Sequence, residues 1–245
     1  MKLKDYFLTP VLLAQALWVK FKTPKLPEHK KPPNKQTLNQ TPEFNLLLLG
    51  DSSAAGVGAL DFEGSLMGQL IKQMPHPFNH KLWANSGDTT QVAIDQLDQK
   101  SAESFDVVIT ALGVNDVIRG TKLNVWLKQQ AQLLAMIKSQ HQAELIVVCG
   151  LPPMDKFPVL PQPLRRVLGD RATQMDKALE QLSKQYPAVI YFPLHYLTEH
   201  SDQQPTEQFS LAQLAASDGF HPGPAAYKLW AEKLSLTITR HFDWH

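Results

Sequence analysis

At 245 residues with 43% hydrophobic content, the chain is long enough for one substantial core and too short for two comparable domains. A formal charge of +1, from 24 basic against 23 acidic residues, offers a large polyanion little to hold, so nucleic acid is not an expected partner. The single cysteine, Cys149, rules out an internal disulfide framework, and its place at the end of LIVVC reads as a buried structural thiol rather than a nucleophile.

The amino terminus comes first in chain order. Lys2 and Lys4 precede an apolar stretch from Phe7 to Val19, broken by Pro10 and Gln15 and closed by Lys20 and Lys22. It is short for a membrane span. Three readings stay open: a helix packed on the domain or lying on a membrane surface, a signal or anchor with cleavage-type spacing at Ala14-Gln15-Ala16, or disorder. The compartment is therefore undecided, with cytoplasmic or membrane-associated ahead of exported. Thr23 to Pro42 carries five prolines and a Lys-rich patch and reads as an extended linker. Residues 1–43 are thus expected to be a helix and linker, and 44–245 a single domain.

From Phe44 onward, short apolar runs alternate with segments of helical period. Strands are predicted at Asn45 to Leu49, Lys81 to Asn85, Asp106 to Ala111, Glu144 to Cys149 and Val189 to Phe192. Helices are predicted at Glu63 to Met74, Thr90 to Lys100, Leu123 to Gln140, Leu164 to Tyr186 and Pro224 to His241. Such alternation predicts an α/β fold, a parallel sheet covered by helices on both faces.

In a parallel sheet the carboxyl ends of the strands share one edge, and that edge is where open α/β sheets place their ligand crevices. Four groups of polar and small residues fall there. The first strand stops at Gly50-Asp51-Ser52, which would present a serine at the tip of a buried strand with a tight turn into a helix behind it. The second is followed by Ser86-Gly87-Asp88, the third by Gly113-Val114-Asn115-Asp116, and Asp218-Gly219-Phe220-His221-Pro222-Gly223 precedes the last helix.

These residue types suit acyl transfer. An aspartate three residues before a histidine, in a turn bounded by glycine and proline, can fold back onto the imidazole and hold one ring nitrogen protonated, leaving the other as a base for Ser52. Attack on a carbonyl creates an oxyanion, for which the backbone amides of Ser52 and Gly87 and the side-chain amide of Asn115 are candidate donors. Each group alone also has a plainer reading. Ser52 could cap a helix, Gly87 and Asn115 could be turn residues, and Asp218 with His221 could simply form a helix-entry loop.

Together the four groups resemble the SGNH hydrolase family, the GDSL-type esterases and lipases. The blocks Gly50-Asp51-Ser52, Gly87, Gly113-Val114-Asn115-Asp116 and Asp218-Gly219-Phe220-His221 follow the family's order, and the resemblance runs from about Phe44 to the carboxyl terminus. It implies a three-layer α/β/α sandwich on a five-stranded parallel sheet, flavodoxin-like, and hydrolysis of carboxylic acyl esters through a serine-bound acyl intermediate. By the same resemblance Ser52 is nucleophile and first oxyanion donor, Gly87 and Asn115 are further donors, His221 is the base and Asp218 orients it. Ser53, Ala54 and Ala55 follow where many relatives have a leucine next, and Ser52 rather than Ser53 takes the nucleophile's place directly after Gly-Asp.

Other groups are set aside. Asp51 and Asp116 read as carboxylates that tie down loop amides. His195 and His200 do not have helical metal-pair spacing, the tail from His241 to His245 lacks a carboxylate cluster, and no metal is expected. Gly56-Val57-Gly58 lacks the Lys-Ser or Lys-Thr pair of a phosphate loop, so no nucleotide or other cofactor is expected. The proline-rich stretch Gly150 to Pro163 reads either as a rigid connector or as a wall of an acyl pocket lined by Met154, Phe157, Val159 and Leu160. The expected substrate is a small-molecule acyl ester, lipid or small, with membrane contact through residues 1–22 left open and the oligomeric state unknown. Competing readings are a carbohydrate O-deacetylase or thioesterase using the same residues, and a non-catalytic flavodoxin-like binding module.

Overall fold

The leucines of the first strand divide between two cores. In the computed structural model, which describes residues 8–31, 41–194 and 211–242, Leu46 and Leu48 pack into one hydrophobic cluster and Leu47 and Leu49 into another on the opposite face. The division follows from strand geometry, in which successive side chains leave opposite faces. The next strands repeat it: Val107, Ile109, Leu145 and Val147 join the first cluster, while Val108, Ile146 and Val148 join the second.

Five strands form the sheet: β1 (Phe44–Gly50), β2 (Phe78–Ala84), β3 (Val107–Ala111), β4 (Leu145–Cys149) and β5 (Val189–Phe192). All neighbours pair in parallel, in the order β2-β1-β3-β4-β5. The strands of the sheet interior, β1, β3 and β4, are mostly apolar runs, broken only by Asn45 at the start of β1 and Thr110 in β3, as burial on both faces favours.

Among the described residues, eight α-helices accompany the strands: α1 (Thr9–Lys22), α2 (Leu66–Gln73), α3 (Thr90–Asp98), α4 (Val114–Arg119), α5 (Leu123–His141), α6 (Leu164–Ser183), α7 (Leu211–Leu214) and α8 (Pro224–His241). Helices α2 and α8 cover one face, supplying Leu66, Met67, Leu70, Tyr227, Trp230, Leu234 and Ile238. On the other face lie α3, α5 and α6, with Ile94, Leu97, Trp126, Leu133, Ile137, Met175 and Leu179. The three-layer α/β/α sandwich is therefore present.

Sequence expectation and structure differ at particular places. β2 begins at Phe78 rather than Lys81, because it is an edge strand whose Asn79, His80 and Lys81 face solvent and blur the apolar signal. No helix begins directly after Ser52. The chain runs instead through a series of turns to Ser65, whose hydroxyl caps α2 by accepting from the Gly68 N–H at 3.3 Å. Of the residues named for a pocket wall, Met154 and Leu160 are buried in the core at 0% and 2% exposure, and Val159 packs on the same core.

Candidate active site

With strand order 2-1-3-4-5 the chain reverses direction across the sheet between β1 and β3, and an open α/β sheet has its crevice there, outside the carboxyl ends. Ser52 lies two residues beyond β1, and Asn115 is in the first turn of α4 just beyond β3. Asp51 shapes the turn that carries Ser52. Its Oδ1 accepts from the Ser53 N–H at 3.0 Å and from the Ser53 hydroxyl at 2.9 Å, an Asx turn that bends the chain around Ser52. Ser53 is thereby committed to Asp51.

The histidine loop is held just as firmly. Asp218 Oδ1 accepts the backbone N–H groups of Phe220 (2.9 Å) and His221 (3.0 Å), while Oδ2 meets His221 Nδ1 at 2.5 Å. An antiparallel bridge between Ala215 and Pro222 closes the loop onto the start of α8. His221 Nε2 then lies 3.0 Å from Ser52 Oγ. With a carboxylate at Nδ1 that nitrogen carries the proton, and Nε2 is left to accept from the serine. Burial alone would raise the Asp218 carboxyl, but the bonds from the His221 ring and from the Phe220 and His221 amides outweigh it and hold the group below the usual carboxylate range.

The serine turn and the histidine loop touch at Gly58, where φ is +95° and an added Cβ would lie 2.2 Å from Pro222 O and 3.2 Å from His221 Cβ. Only glycine combines that backbone with that closeness. Tyr227, one turn into α8, braces the same turn from below, with its hydroxyl 2.9 Å from Ser53 O and 2.6 Å from Val57 O.

Asn115 links the Asp51 turn to the loop that carries Gly87. Asn115 Nδ2 donates to Asp88 O at 3.0 Å and, more weakly, to Asp51 Oδ2 at 3.4 Å. Gly87 has φ +88°, and its carbonyl accepts from Arg119 Nη2 at 3.0 Å. The nearest atom to a Cβ added at Gly87 would be that guanidinium nitrogen, 4.0 Å away, so the positive φ is what calls for glycine there. Asp116 turns away from Ser52: Oδ2 accepts from the Thr90 N–H and hydroxyl, both at 2.9 Å, and Oδ1 from the Thr121 hydroxyl at 3.3 Å. It anchors the start of α3.

Beside Ser52 and His221 opens a cavity of about 110 Å³ whose lining is mainly apolar. Leu151, Phe157, Pro158 and Phe220 form part of its wall, and Cys149, Ala226 and Trp230 also line it. Cys149 is 1% exposed, and burial pushes its thiol up to about 12, which leaves no thiolate for chemistry at neutral pH. Among the described residues no group of three or more His, Cys, Asp or Glu side chains could hold a metal ion. His195, His200 and residues 243–245 lie outside the described residues.

Arg119 and Tyr227 contribute to the site without any signal in the sequence. Each acts through a contact that only the folded chain creates, and neither belongs to a recognisable local motif.

Burial also raises the Asp51 carboxyl to about 6, against the bonds it receives from Ser53. The folded value exceeds the ordinary one, so the stability this group contributes is fully present below about pH 4 and is lost as pH rises through about 6, on the order of 3 kcal/mol in all. Asp51→Asn keeps an acceptor for Ser53 and cannot ionise. Its melting temperature should exceed that of the wild type by roughly 6 to 12 °C at pH 8 and match it near pH 4. Thermal melts at both values check this, and a gap independent of pH would rule it out.

Residues 48–229 match the sequence profile of the GDSL-like Lipase/Acylhydrolase family. Comparison with curated protein sequences gives no match. Among solved structures, a lipase from a goat rumen metagenome is similar at 17% identity and a TM-score of 0.59, covering 78% of this chain and 96% of its own. The psychrotrophic esterase EstA from Pseudoalteromonas sp., inhibited by monoethylphosphonate, is similar at 19% identity and 0.54, with 80% and 97% covered. The aryl esterase of M. smegmatis in its inhibitor-bound form is similar at 15% and 0.58, with 81% and 99% covered. At such identities these likenesses speak for the fold. With the family profile spanning most of its length, the chain belongs to the GDSL-like lipase/acylhydrolase family and is an ester-bond hydrolase.

Proposed function

We propose that the protein hydrolyses carboxylic acyl esters of lipids or small alcohols, with Ser52, His221 and Asp218 as nucleophile, base and orienter. The observation that carries this reading is the unbroken chain Ser52 Oγ to His221 Nε2 at 3.0 Å and His221 Nδ1 to Asp218 Oδ2 at 2.5 Å. As Ser52 Oγ attacks the acyl carbonyl, His221 Nε2 takes its proton, and Asp218 stabilises the imidazolium and keeps the ring in register. The same proton then passes to the leaving alcohol. Water attacks the acyl-serine in the second half, with His221 again as base and Ser52 as leaving group.

The oxyanion is assigned to the backbone N–H groups of Ser52 and Gly87 and to Asn115 Nδ2. Asn115 already gives one hydrogen to Asp88 O, and the 3.4 Å contact to Asp51 is weak enough to yield to a stronger acceptor. Asn115→Ala should lower kcat by roughly 10²- to 10³-fold with KM little changed, the usual effect of losing one oxyanion donor. An unchanged kcat would remove Asn115 from that role.

An acyl chain suits the mainly apolar cavity beside Ser52 better than a sugar or a charged group does. Hydrolysis of p-nitrophenyl esters from acetyl to palmitoyl tests this. Turnover that persists beyond the acetyl ester is expected. Silence on every chain length, with release of acetate from an acetylated sugar, would favour the O-deacetylase reading instead.

A further inference from the structure

Helix α1 is apolar on both sides. Leu12 is buried and Leu8 and Val19 pack on the cluster formed by α3, α5 and α6. Gln15 fixes the helix in place: its Nε2 donates to Gln162 O at 2.6 Å and its Oε1 accepts from the Leu164 N–H at 3.0 Å. The other side carries Val11, Leu13, Leu17, Trp18 and Phe21, each between 45% and 83% exposed. Five of the nine large hydrophobic residues exposed among the described residues therefore sit on this one helix. A helix with no polar side belongs against a second apolar phase.

Charge indicates which phase. The first 31 residues hold seven lysines against Asp5 and Glu28, and the remainder of this nearly neutral chain is net acidic. Lys20 and Lys22 lie in the last turn of α1 and Lys25 follows directly. An apolar face with Lys20, Lys22 and Lys25 at its carboxyl end complements lipid chains beneath anionic headgroups.

Position links that face to the site. Gln15 grips the chain at Gln162 and Leu164, just beyond the Leu151–Pro158 stretch that walls the cavity. After α1 the chain crosses to the other side of the crevice. His29 N–H donates to Ala55 O at 2.8 Å, Glu28 Oε1 accepts from the Ser86 N–H at 2.8 Å, and Lys30 Nζ donates to Asn85 Oδ1 at 2.9 Å. Helix and strap thus run along the carboxyl edge of the sheet, from the cavity wall to the loop that carries Gly87.

We infer that α1 docks the enzyme on an anionic lipid surface, beside which the cavity receives its acyl ester. No described helix is long and apolar enough to cross a membrane, so docking on the surface is the mode that fits. The docking stands on α1 itself, whereas the identity of the substrate as a membrane lipid rests on the esterase reading above.

The test is co-sedimentation of the full chain with phosphatidylcholine vesicles, plain or containing about one third phosphatidylglycerol. Wild type should pellet with the anionic vesicles and much less with the plain ones or at raised salt. The Leu17→Glu/Phe21→Glu variant, altered only at exposed positions, should bind at least about tenfold more weakly while hydrolysing soluble p-nitrophenyl butyrate at the wild-type rate. Ser52→Ala should pellet like the wild type. Equal pelleting of wild type and the double variant would overturn the inference, and so would wild type that stays in the supernatant. A wild-type dimer that the double variant converts to monomer in sedimentation velocity, without lipid binding, would assign the face to a second copy of the chain and also overturn it. Failure of wild type on p-nitrophenyl butyrate would count against the esterase reading alone, since pelleting is scored separately.

Discussion

Replacing Ser52 by alanine is expected to reduce ester turnover by about 10⁵- to 10⁶-fold, to the limit of detection, as loss of a nucleophile does in a serine hydrolase. Ser53→Ala should keep turnover within roughly tenfold and lose about 1 kcal/mol of stability, because its hydroxyl serves Asp51 at 2.9 Å and nothing ties it to His221. The contrast matters because the two serines are adjacent and chemically identical. What separates them is which one the Asp51 turn holds back and which one lies 3.0 Å from the imidazole. Steady-state kinetics with thermal melts on both variants checks it, and the reverse pattern would show that the turn presents Ser53.

Asp218→Asn is the second large effect, a fall in kcat of roughly 10⁴-fold with the fold retained. An asparagine can still accept the Phe220 and His221 amides through its oxygen. Its NH₂ group would then face His221 Nδ1 and favour the tautomer with the proton on Nε2, which cannot accept from Ser52. Stability gives an independent readout. The folded Asp218 carboxyl lies below its ordinary value, so the stability it contributes is present above about pH 4 and is lost as pH falls through the folded value. The variant should therefore be less stable than wild type at neutral pH, and the gap should close in acid. Wild-type kcat in Asp218→Asn would remove Asp218 from the mechanism.

Much of the sheet was legible because burial on both faces leaves a plain mark. The runs at β1, β3 and β4 have little polar interruption, and Val189–Phe192 and Pro224–His241 carry the predicted bounds. The start of β2 lies three residues earlier than predicted since an edge strand tolerates Asn79, His80 and Lys81. Helix α4 escaped notice because six residues after Gly113 are too few to establish a period, and its Asn115 and Asp116 read as turn residues.

For the site, the serine and histidine turns were legible because local chemistry writes them: Asp218 reaches His221 within one turn, and Asp51 reaches Ser53 within two residues. Contacts across long sequence separations were not. Tyr227 on the turn after Ser52, Arg119 on the Gly87 carbonyl, and Glu28 on the Ser86 amide each join segments that meet only once the sheet is assembled. The cavity wall shows the same limit. Of the four residues that the pocket-wall reading named, Phe157 lines the cavity, whereas Met154 and Leu160 are buried in the core and Val159 packs on it.

The central claim is that Ser52 is the atom acylated. Treating wild type with an alkyl fluorophosphonate, a mimic of the tetrahedral intermediate, and mapping the adduct by peptide mass spectrometry tests it directly. One adduct per chain on Ser52, with activity lost in proportion and no labelling of Ser52→Ala, is the predicted result; an adduct on Ser53, or full inactivation with Ser52 unmodified, would contradict it.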